Sequence, residues 1–530
     1  MFERLRRTVK SWMQRVGAET GLAREFKDIF ELGGVPAFNQ FYNLGIFPWK
    51  YVYKGFYDAW HLIDAPTVQN PRSKRRMYFL NLSKAVCCEL AQMIWTDQAD
   101  ICVTTDGLEL KDGETDPLSD FVQDVFKRNS FFQKTEELVE QCAALGGAVY
   151  KGWVNFRNEK PNLQIGSCMA DQFIPTEWDN AEIYSGVFIS RRAKGGYYYT
   201  RLEWHKWDGQ NYVVTNELYR AERNKNGSTE SQDILGYRWP LAELYPDLDE
   251  ETTIQGLEHS LFSYFRPPVA NNIDDNSPLG VSVYSNAMET LHALDICFDS
   301  FVREFRLGKK RIIVPARMIK TVADPDTGEL RRYFDATDET YEALSTDDPD
   351  ALKIQDNSVS LRVEEHVAAI NAFLNIFCLQ VGLSSGTFSF DAKNNGIKTA
   401  TEVISENSKT FGTVRAHENI ISDALKEMVH AIFELAVHYG LTHNGQTIES
   451  LIAGGYEVTV KFDDSIIQDR QQDINQGTML VGAGLMSKKK FMMDTLGYPA
   501  EDADKELAQI AEEGKSNAVD VTRLFGGVGE

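Results

Sequence analysis

The chain has 530 residues, 43% of them hydrophobic, which is enough for about three domains with hydrophobic cores. Its 55 lysine and arginine residues against 78 aspartate and glutamate residues give a formal net charge of −23, which argues against tight binding of free nucleic acid or anionic membranes. The seven cysteines form no C-x-x-C pair and no apolar run reaches the roughly 20 residues of a membrane helix, which argues against a disulfide framework and a membrane span.

Residues 1–99 are predicted to be a helical N-terminal part. The first turns combine an apolar stripe with basic residues, and we expect an amphipathic helix that is a docking arm or a solvated first helix rather than a membrane anchor. Residues 38–60 are dense in aromatic side chains, which fits buried packing of irregular backbone or an aromatic binding groove. Residues 73–95 are predicted to be another amphipathic helix. We expect its leading basic residues to be solvated: Arg72, Lys74, Arg75 and Arg76.

Residues 100–277 are predicted to be a β-rich domain. A helix at 117–145 leads into short runs of β-branched and aromatic residues. These runs are bounded by turn sequences, among them Asp208-Gly209 and Lys194-Gly195-Gly196. Such short turns between strong strands predict an antiparallel meander.

Two apolar-striped helices, at 278–307 and 360–382, form the pattern around which the rest of the chain is arranged. Apolar residues recur there at alternating steps of three and four, which places them on one face of each helix. The residues of this seam are Leu291, Leu294, Phe298, Phe301 and Phe305 on the first helix and Val367, Ile370, Leu374 and Phe377 on the second. Taken alone, the pattern also fits a long helical hairpin inside an ordinary helical domain.

The insert between these helices, residues 308–359, is predicted to be a small β module. Lys309–Pro315 and Leu330–Phe334 have the composition of strands. They flank Asp324-Pro325-Asp326-Thr327-Gly328, a turn sequence with Pro and Gly at favourable positions. A helix, a β module and a returning helix predict a stalk with a tip.

The last third of the chain begins with residues 383–399, which are rich in Ser, Gly and Asn. Residues 400–462 are predicted to hold a very long helix that ends at Gly440 and then a strand. Residues 463–513 are predicted to form two or three helices. Residues 514–530 have few apolar side chains to bury, and we expect them to be disordered.

One motif of hydrolytic enzymes is present. Gly382-Leu383-Ser384-Ser385-Gly386 matches G-x-S-x-G, and Asp423 with His430 or His438 follows in the order found in hydrolases. A nucleophile elbow needs a strand before the serine, whereas a seam-patterned helix precedes it here, so Gly382 is better explained as a helix cap. The histidines show no metal-ligand spacing. We therefore predict no catalytic site, metal or cofactor, and keep a cytosolic serine hydrolase as the alternative.

The order of these elements, together with four stretches of sequence, resembles the portal proteins of tailed bacteriophages, in particular the siphovirus type. The stretches are residues 145–153, which begin Leu-Gly-Gly-Ala, residues 171–178, Pro278-Leu279-Gly280 with residues 298–315, and residues 456–470. The resemblance covers residues 70–510 approximately. It implies an α+β portal fold that assembles as a ring.

In that fold each region has a place. Residues 1–99 and 100–277 would form the wing, 278–307 and 360–382 the stem, and 308–359 the clip. Residues 383–399 would be the tunnel loop, 400–462 a long wing helix with a strand, and 463–513 the crown.

The resemblance also implies function and partners. The ring, usually of twelve subunits, would occupy one capsid vertex of the virion, where double-stranded viral DNA is packaged and later ejected. A terminase packaging motor and head-tail adaptor proteins would dock on it, and the major capsid and scaffolding proteins would surround it. The chain would be made in the host cytoplasm. Native mass separates this function from the hydrolase, because a dodecamer would have twelve times the 60.0 kDa of one chain.

Two groups of residues are candidate functional sites under this resemblance. Clip residues that could dock partners are Lys309, Lys310, Arg311, Arg331 and Arg332. Tunnel-loop residues that could line a channel constriction are Lys393, Asn394, Asn395 and Lys398. An acidic wall lets phosphates slide whereas a strongly basic wall traps them, so two lysines per subunit would give a sparse positive ring.

Overall fold

The computed structural model describes residues 14–15, 24–36, 38–66, 70–95, 99–108, 115–157, 160–180, 182–223, 234–308, 312–313, 320–323, 330–333, 355–356, 360–389, 400–462, 477–494 and 503–510. Within these ranges the chain forms both helices and strands, and the paired strands are antiparallel. The α+β part of the predicted fold class is thereby confirmed.

The N-terminal part holds helices α1 (Asn39–Phe41), α2 (Phe47–Tyr53) and α3 (Asp58–His61), with a π-helical turn between the first two. Its aromatic side chains are partly core, since Phe41, Tyr42 and Trp49 are buried. A groove of about 640 Å³ lies beside them, lined in part by two tyrosine rings that stack at 5.9 Å. Both explanations of the aromatic stretch, packing and a groove, therefore apply to it.

The basic run that was expected to start a helix forms a strand instead. Strand β1 (Glu25–Phe26) lies earlier in the chain, and β2 (Leu62–Asp64) pairs antiparallel with β3 (Lys74–Arg76). Helix α4 (Leu82–Ile94) begins only after Asn81, which has a φ of 53°. The prediction of a helix start is wrong, because the backbone of this run is paired and Arg75 binds a distant aspartate. The side chains of Arg72, Lys74 and Arg76 are exposed, as expected.

The predicted helix at 117–145 is two helices. In α5 (Pro117–Asn129), Asp116 accepts the Leu118 N–H and proline occupies the first turn. Ser130 takes a left-handed conformation with φ 51°, which ends α5 and redirects the chain into α6 (Phe131–Leu145). The helix pair is connected to a three-stranded sheet of order β13-β5-β6, formed by β5 (Ala148–Arg157), β6 (Lys160–Met169) and β13 (Phe262–Phe265).

The larger sheet is the predicted antiparallel meander. Its strands run β1-β11-β10-β9-β8-β7, and β12 also pairs with β10. The bounds are β7 (Phe173–Asp179), β8 (Glu182–Lys194), β9 (Tyr197–Asp208), β10 (Asn211–Glu222), β11 (Gly236–Trp239) and β12 (Glu251–Gln255). Gly195 and Gly209 make the two predicted hairpin turns, with φ of 63° and 62°.

Along the chain, one helix precedes and one follows the small β elements of the insert. These helices are α7 (Met288–Leu307) and α8 (Val363–Val381). Between them, β14 (Ile312–Ile313) pairs with β17 (Gln355–Asp356), and β15 (Lys320–Ala323) pairs with β16 (Leu330–Tyr333). The strand pairing thus differs from the prediction in one respect: the run at 309–315 pairs near the end of the insert, and residues 320–323 supply the first strand of the hairpin.

The last described part starts with helix α9 (Ala400–His438), which ends before Gly440 with φ 60°, as predicted. After β18 (Thr442–His443), β19 (Gln446–Thr447) and α10 (Ile448–Ile452), strand β20 (Tyr456–Lys461) pairs with β4 (Asp100–Thr105). Helical residues follow at 477–482, in α11 (Lys488–Asp494) and at 503–510. Residues 514–530, predicted to be disordered, lie outside the described residues.

One continuous hydrophobic core connects these parts. It includes buried residues from the aromatic N-terminal helices, α4 to α6, both larger sheets, the start of α7, the end of α8 and the second half of α9. Residues far apart in sequence therefore share one interior. None of the helices that the structure describes is long and apolar enough to cross a membrane.

Candidate functional site

Helices α7 and α8 pack against each other, and burial along their contact is graded. Near the core, Leu294 and Phe377 are fully buried. Phe298 and Val367 are half-buried, and Phe305 at the far end is 48% exposed. The other predicted seam residues follow the same gradient, with Leu291, Ile370 and Leu374 buried and Phe301 half-buried. The contact is therefore tight at the base of the helix pair and open toward the insert.

The base of α7 is held by two aspartates that bind the N-terminal part. Asp299 forms a two-point ion pair with Arg75, at 2.8 and 2.5 Å, and accepts the Tyr78 N–H at 3.1 Å. One turn earlier, Asp295 lies 3.0 Å from Nε2 of His61 and accepts the Leu80 N–H at 2.9 Å. None of these contacts was predictable from the seam pattern, because that pattern concerns apolar residues only.

The protonation of His61 follows from its neighbours. Its Nδ1 lies 2.9 Å from the Tyr57 N–H, which can only donate, so Nδ1 accepts. Nε2 must then carry the proton that His61 donates to Asp295. The ring is also buried and stacks on Phe79 at 4.7 Å. A neutral imidazole in one tautomer therefore joins α3 to α7.

The Asp299 carboxylate is charged and strongly paired. Burial alone would raise its pKa, but the hydrogen bonds from the Arg75 guanidinium and the Tyr78 N–H outweigh burial and lower the pKa of Asp299 below its usual value. The same contact raises the pKa of Arg75. Both groups stay ionised at neutral pH, which makes the pair a permanent charged link.

Two of the glycine-containing motifs singled out in the sequence meet in space just before α7. A Cβ added to Gly146 would lie 2.6 Å from the carbonyl oxygen of Gly280, so the two backbones touch. The Gly280 N–H donates to the Tyr264 hydroxyl at 2.9 Å, and this hydroxyl donates to the Gly146 carbonyl at 3.3 Å. The glycines are thus required where the chain leaves the β-rich part and enters α7.

The far end of the helix pair carries a second ion pair. Arg362, just before α8, donates to both carboxylate oxygens of Glu304 on α7 at 3.1 and 2.9 Å. The hydrogen bond from Arg362 lowers the pKa of Glu304. Of the predicted docking residues beyond this point, Lys309, Lys310 and Arg311 lie outside the described residues. Arg331 and Arg332 lie in β16.

The segment after α8 begins with a firm helix cap. Gly382 has φ 83°, and its carbonyl accepts the Thr413 hydroxyl from α9 at 2.6 Å. Ser384 is buried and hydrogen-bonded through its N–H to Thr410 at 2.9 Å. The predicted tunnel-loop residues Lys393, Asn394, Asn395 and Lys398 lie outside the described residues.

This geometry does not supply a nucleophile elbow. The element before Ser384 is a helix, whereas the elbow follows a strand. Asp423 has a largely exposed side chain 3.7 Å from Lys426, and Nδ1 of His430 lies 2.7 Å from the Tyr456 hydroxyl. In the part of the chain that the structure describes, no group of three or more His, Cys, Asp or Glu side chains could hold a metal ion.

Helix α8 presents an apolar face on the side away from α7. Its residues Ala368, Ala372, Ile376 and Leu379 are exposed, with Ile376 at 47% and Leu379 at 65%. They follow one another at steps of four, four and three, which places them on one side of the helix. Residues 367–381 contain no acidic or basic side chain. The exposed Asn375 lies among them, so this face is uncharged and largely apolar. A helix that is largely apolar on both sides is typically covered on both sides.

The sequence matches one family of known proteins over most of its length. A family model described as phage portal protein, SPP1 Gp6-like, matches residues 46–520. Among solved structures, a chain of the virion of a native gene transfer agent particle aligns with 79% of this chain and 89% of its own, with 11% identity and a TM-score of 0.36. No curated protein matches the sequence.

Proposed function

This chain belongs to the SPP1 Gp6-like family of phage portal proteins, and we propose that it forms the ring at one capsid vertex through which double-stranded viral DNA is packaged and ejected. Family membership supports a structural rather than a catalytic role. The chain would act in the virion after synthesis in the host cytoplasm. The ring would have about twelve copies, the usual number in rings of this kind.

The main observation that supports ring formation is the apolar outer face of α8. In an isolated subunit, Ile376 and Leu379 on this face are exposed to water. Burying each of these side chains would contribute roughly 1 to 2 kcal/mol of free energy to association. A ring repeats the same contact between every pair of neighbours, so a modest gain per contact stabilises the whole assembly. A neighbouring subunit seated on α8 would bury this face.

The proposed ring is tested by removing that face while leaving the fold intact. Ile376→Ser with Leu379→Ser should shift the native mass from the ring to the monomer, because both side chains are exposed within one subunit. The matched control is Glu364→Ser with Gln380→Ser, two exposed polar positions on the same helix. The control should keep the ring. Rings from the apolar double variant, or a monomeric unmodified chain, would refute the proposal.

Within the ring we assign parts as follows. Helices α7 and α8 would be the stem, the β elements at 308–359 the clip, and the sheets with α9 the wing. The crown would be residues 463–513. The major capsid and scaffolding proteins would contact the wing.

The clip would be the docking tip for the terminase motor and then for head-tail adaptors. Its support is its position, because α7 and α8 carry it away from the core, and partners can reach it without disturbing their contact. Deleting residues 321–330 should leave rings that no longer bind motor or adaptor. Normal virion yield from the shortened chain would contradict this assignment.

A further inference from the structure

A group of basic side chains lies at one end of the larger sheet, around the hairpin between β8 and β9. Arg192 and Lys194 end β8, Arg220 lies near the end of β10, and Arg223 follows β10 directly. The strand register places Arg192 opposite Tyr199 and Arg220 opposite the same tyrosine. Lys194 shares the sheet face of these two arginines, whereas Arg223 lies 5.7 Å from the ring of Tyr198, on the other face. Four cations thus surround one hairpin end from both faces of the sheet, on a chain whose net charge is −23. We call these four residues the wing patch.

Aromatic rings contact the three arginines of the wing patch. The Arg220 guanidinium lies 3.3 Å from the ring centre of Trp239 and 4.3 Å from that of Tyr197. Arg192 lies 5.6 Å from the ring of Tyr245. Such contacts orient a guanidinium and reduce the entropy that it loses on binding, but they do not neutralise its charge.

Two arginines elsewhere on the same sheet have carboxylate partners. Arg238 pairs with Glu217 at 2.9 Å, and Arg201 pairs with Glu203 at 2.7 Å. Across the described ranges, no carboxylate forms an ion pair with any of the four patch residues. The nearest carboxylate by register is the exposed Glu222, two residues from Arg220 on the same strand face. The wing patch therefore keeps a net positive charge.

From these observations we propose that the wing patch binds the phosphate backbone of duplex DNA on the outside of the protein. Phosphates follow one another along a duplex with one charge per roughly 1.7 Å of axis, so a row of cations finds partners in any register. The patch crosses the ends of β8, β9 and β10, about 10 Å of sheet at the usual strand spacing.

The surroundings favour DNA over an acidic protein. Protein interfaces depend on aromatic side chains that insert into the partner. Here the faces of Trp239, Tyr197 and Tyr245 are occupied by the chain's own arginines. The patch therefore offers fixed charges without an apolar centre, which fits a polyanion recognised independently of its sequence.

The acidic remainder of the chain keeps this binding weak and sensitive to salt. Each neutralised phosphate contributes about 0.9 to the slope of log K against log salt concentration, and the effect of surrounding charges extends over a screening length of about 8 to 10 Å. Contact with three or four phosphates per subunit would hold DNA at low salt and release it at higher salt.

The experiment uses covalently closed circular duplex DNA, because a closed circle cannot thread a closed channel. Retention of the circle by the full-length protein is measured from 50 to 200 mM salt. The variant is Arg192→Gln with Lys194→Gln and Arg223→Gln, and the control is Arg238→Gln, which removes a cation that is already paired. We expect the triple variant to bind at least tenfold more weakly at 50 mM salt and to lower the slope by roughly 2 to 3. The control should stay within twofold of the unmodified chain.

Several outcomes would overturn the proposal. One is unchanged circle binding by the triple variant while its thermal melt stays normal, and another is an equal loss in the control. Binding of poly-glutamate by the unmodified chain, together with no binding of the circle, would assign the patch to an acidic protein instead. The proposed channel function is judged separately, by ring formation and by DNA packaged per capsid. If the unmodified chain forms no rings but still binds the circle, this inference stands and the proposal of a ring is refuted.

Discussion

Asp299 joins parts of the chain that are 224 residues apart in sequence, through Arg75. Because its pKa is lowered in the folded state, its charge stabilises the fold at pH values above the pKa of an unfolded aspartate, about 3.9. That stabilisation is lost as the pH falls through the folded pKa. The link between the N-terminal part and α7 is therefore acid-sensitive.

Asp299→Asn keeps an acceptor for the Tyr78 N–H but removes the charge. We expect the free energy of unfolding to fall by about 3 kcal/mol at pH 7, because Arg75 loses its partner in a mostly buried place. The difference from the unmodified chain should shrink as the pH is lowered below about 4. Urea unfolding at several pH values measures this difference in unfolding free energy. An equal difference at all pH values would show that shape, not charge, matters at this position.

Gly280→Ala tests the backbone contact before α7. The new Cβ would overlap the carbonyl oxygen of Gly146, and neither backbone can move without disturbing the Tyr264 hydroxyl bridge. We expect a loss of about 2 kcal/mol or more in unfolding free energy. Gly412→Ala in α9 is the control, since no atom lies within 4 Å of its added Cβ, and it should stabilise the chain by about 0.5 to 1 kcal/mol. Similar effects of the two changes would contradict the close approach.

At the scale of an element, α7 and α8 differ along their length in how much they depend on each other. Phe377 lies at the buried end of the contact and Phe305 at the exposed end. Phe377→Ala should cost about 3 to 5 kcal/mol of unfolding free energy, as for other large buried side chains. Phe305→Ala should cost less than half as much. Chemical denaturation compares them, and equal losses would mean that the contact is uniform.

These helices were predictable because their signals are local. The alternating steps of three and four predict a helix at 360–382, close to the observed α8 (Val363–Val381), and glycine caps mark the ends of α8 and α9. The hairpins with Gly195 and Gly209 could be predicted equally well, because the residues of the turn itself specify them.

The remaining features depend on partners far along the chain. The pairing of β4 with β20 joins residues 100–105 to 456–461, and nothing in either strand identifies the other. Ser130 breaks the helix at 117–145 although no glycine or proline marks the place. The aspartates of α7 belong to an acidic chain in which most carboxylates are exposed, so only the structure separates Asp295 and Asp299 from the rest.

At the scale of the whole molecule, the proposed function requires that DNA pass the ring without being held. The tunnel-loop prediction is that Lys393→Glu with Lys398→Glu leaves folding and ring assembly nearly intact and lowers the DNA packaged per capsid. Each exposed lysine near a phosphate is worth about 1 kcal/mol or less in water, so the contact is transient. Lys488→Glu with Lys490→Glu makes the same charge change elsewhere and should have no such effect. Unchanged DNA content in the tunnel-loop variant would remove these lysines from the channel wall.

Helix α9 has a mechanical consequence. Its 39 residues span about 58 Å at 1.5 Å per residue, and it begins at Ala400, directly after residues 383–399. Near its far end His430 touches Tyr456 of β20. A continuous helix resists compression along its axis, so we expect a displacement at Ala400 to be passed along α9 to β20. In the unmodified chain, charge reversal at Lys393 and Lys398 should change hydrogen exchange in β20. Gly412→Pro would kink α9, and this change should then disappear.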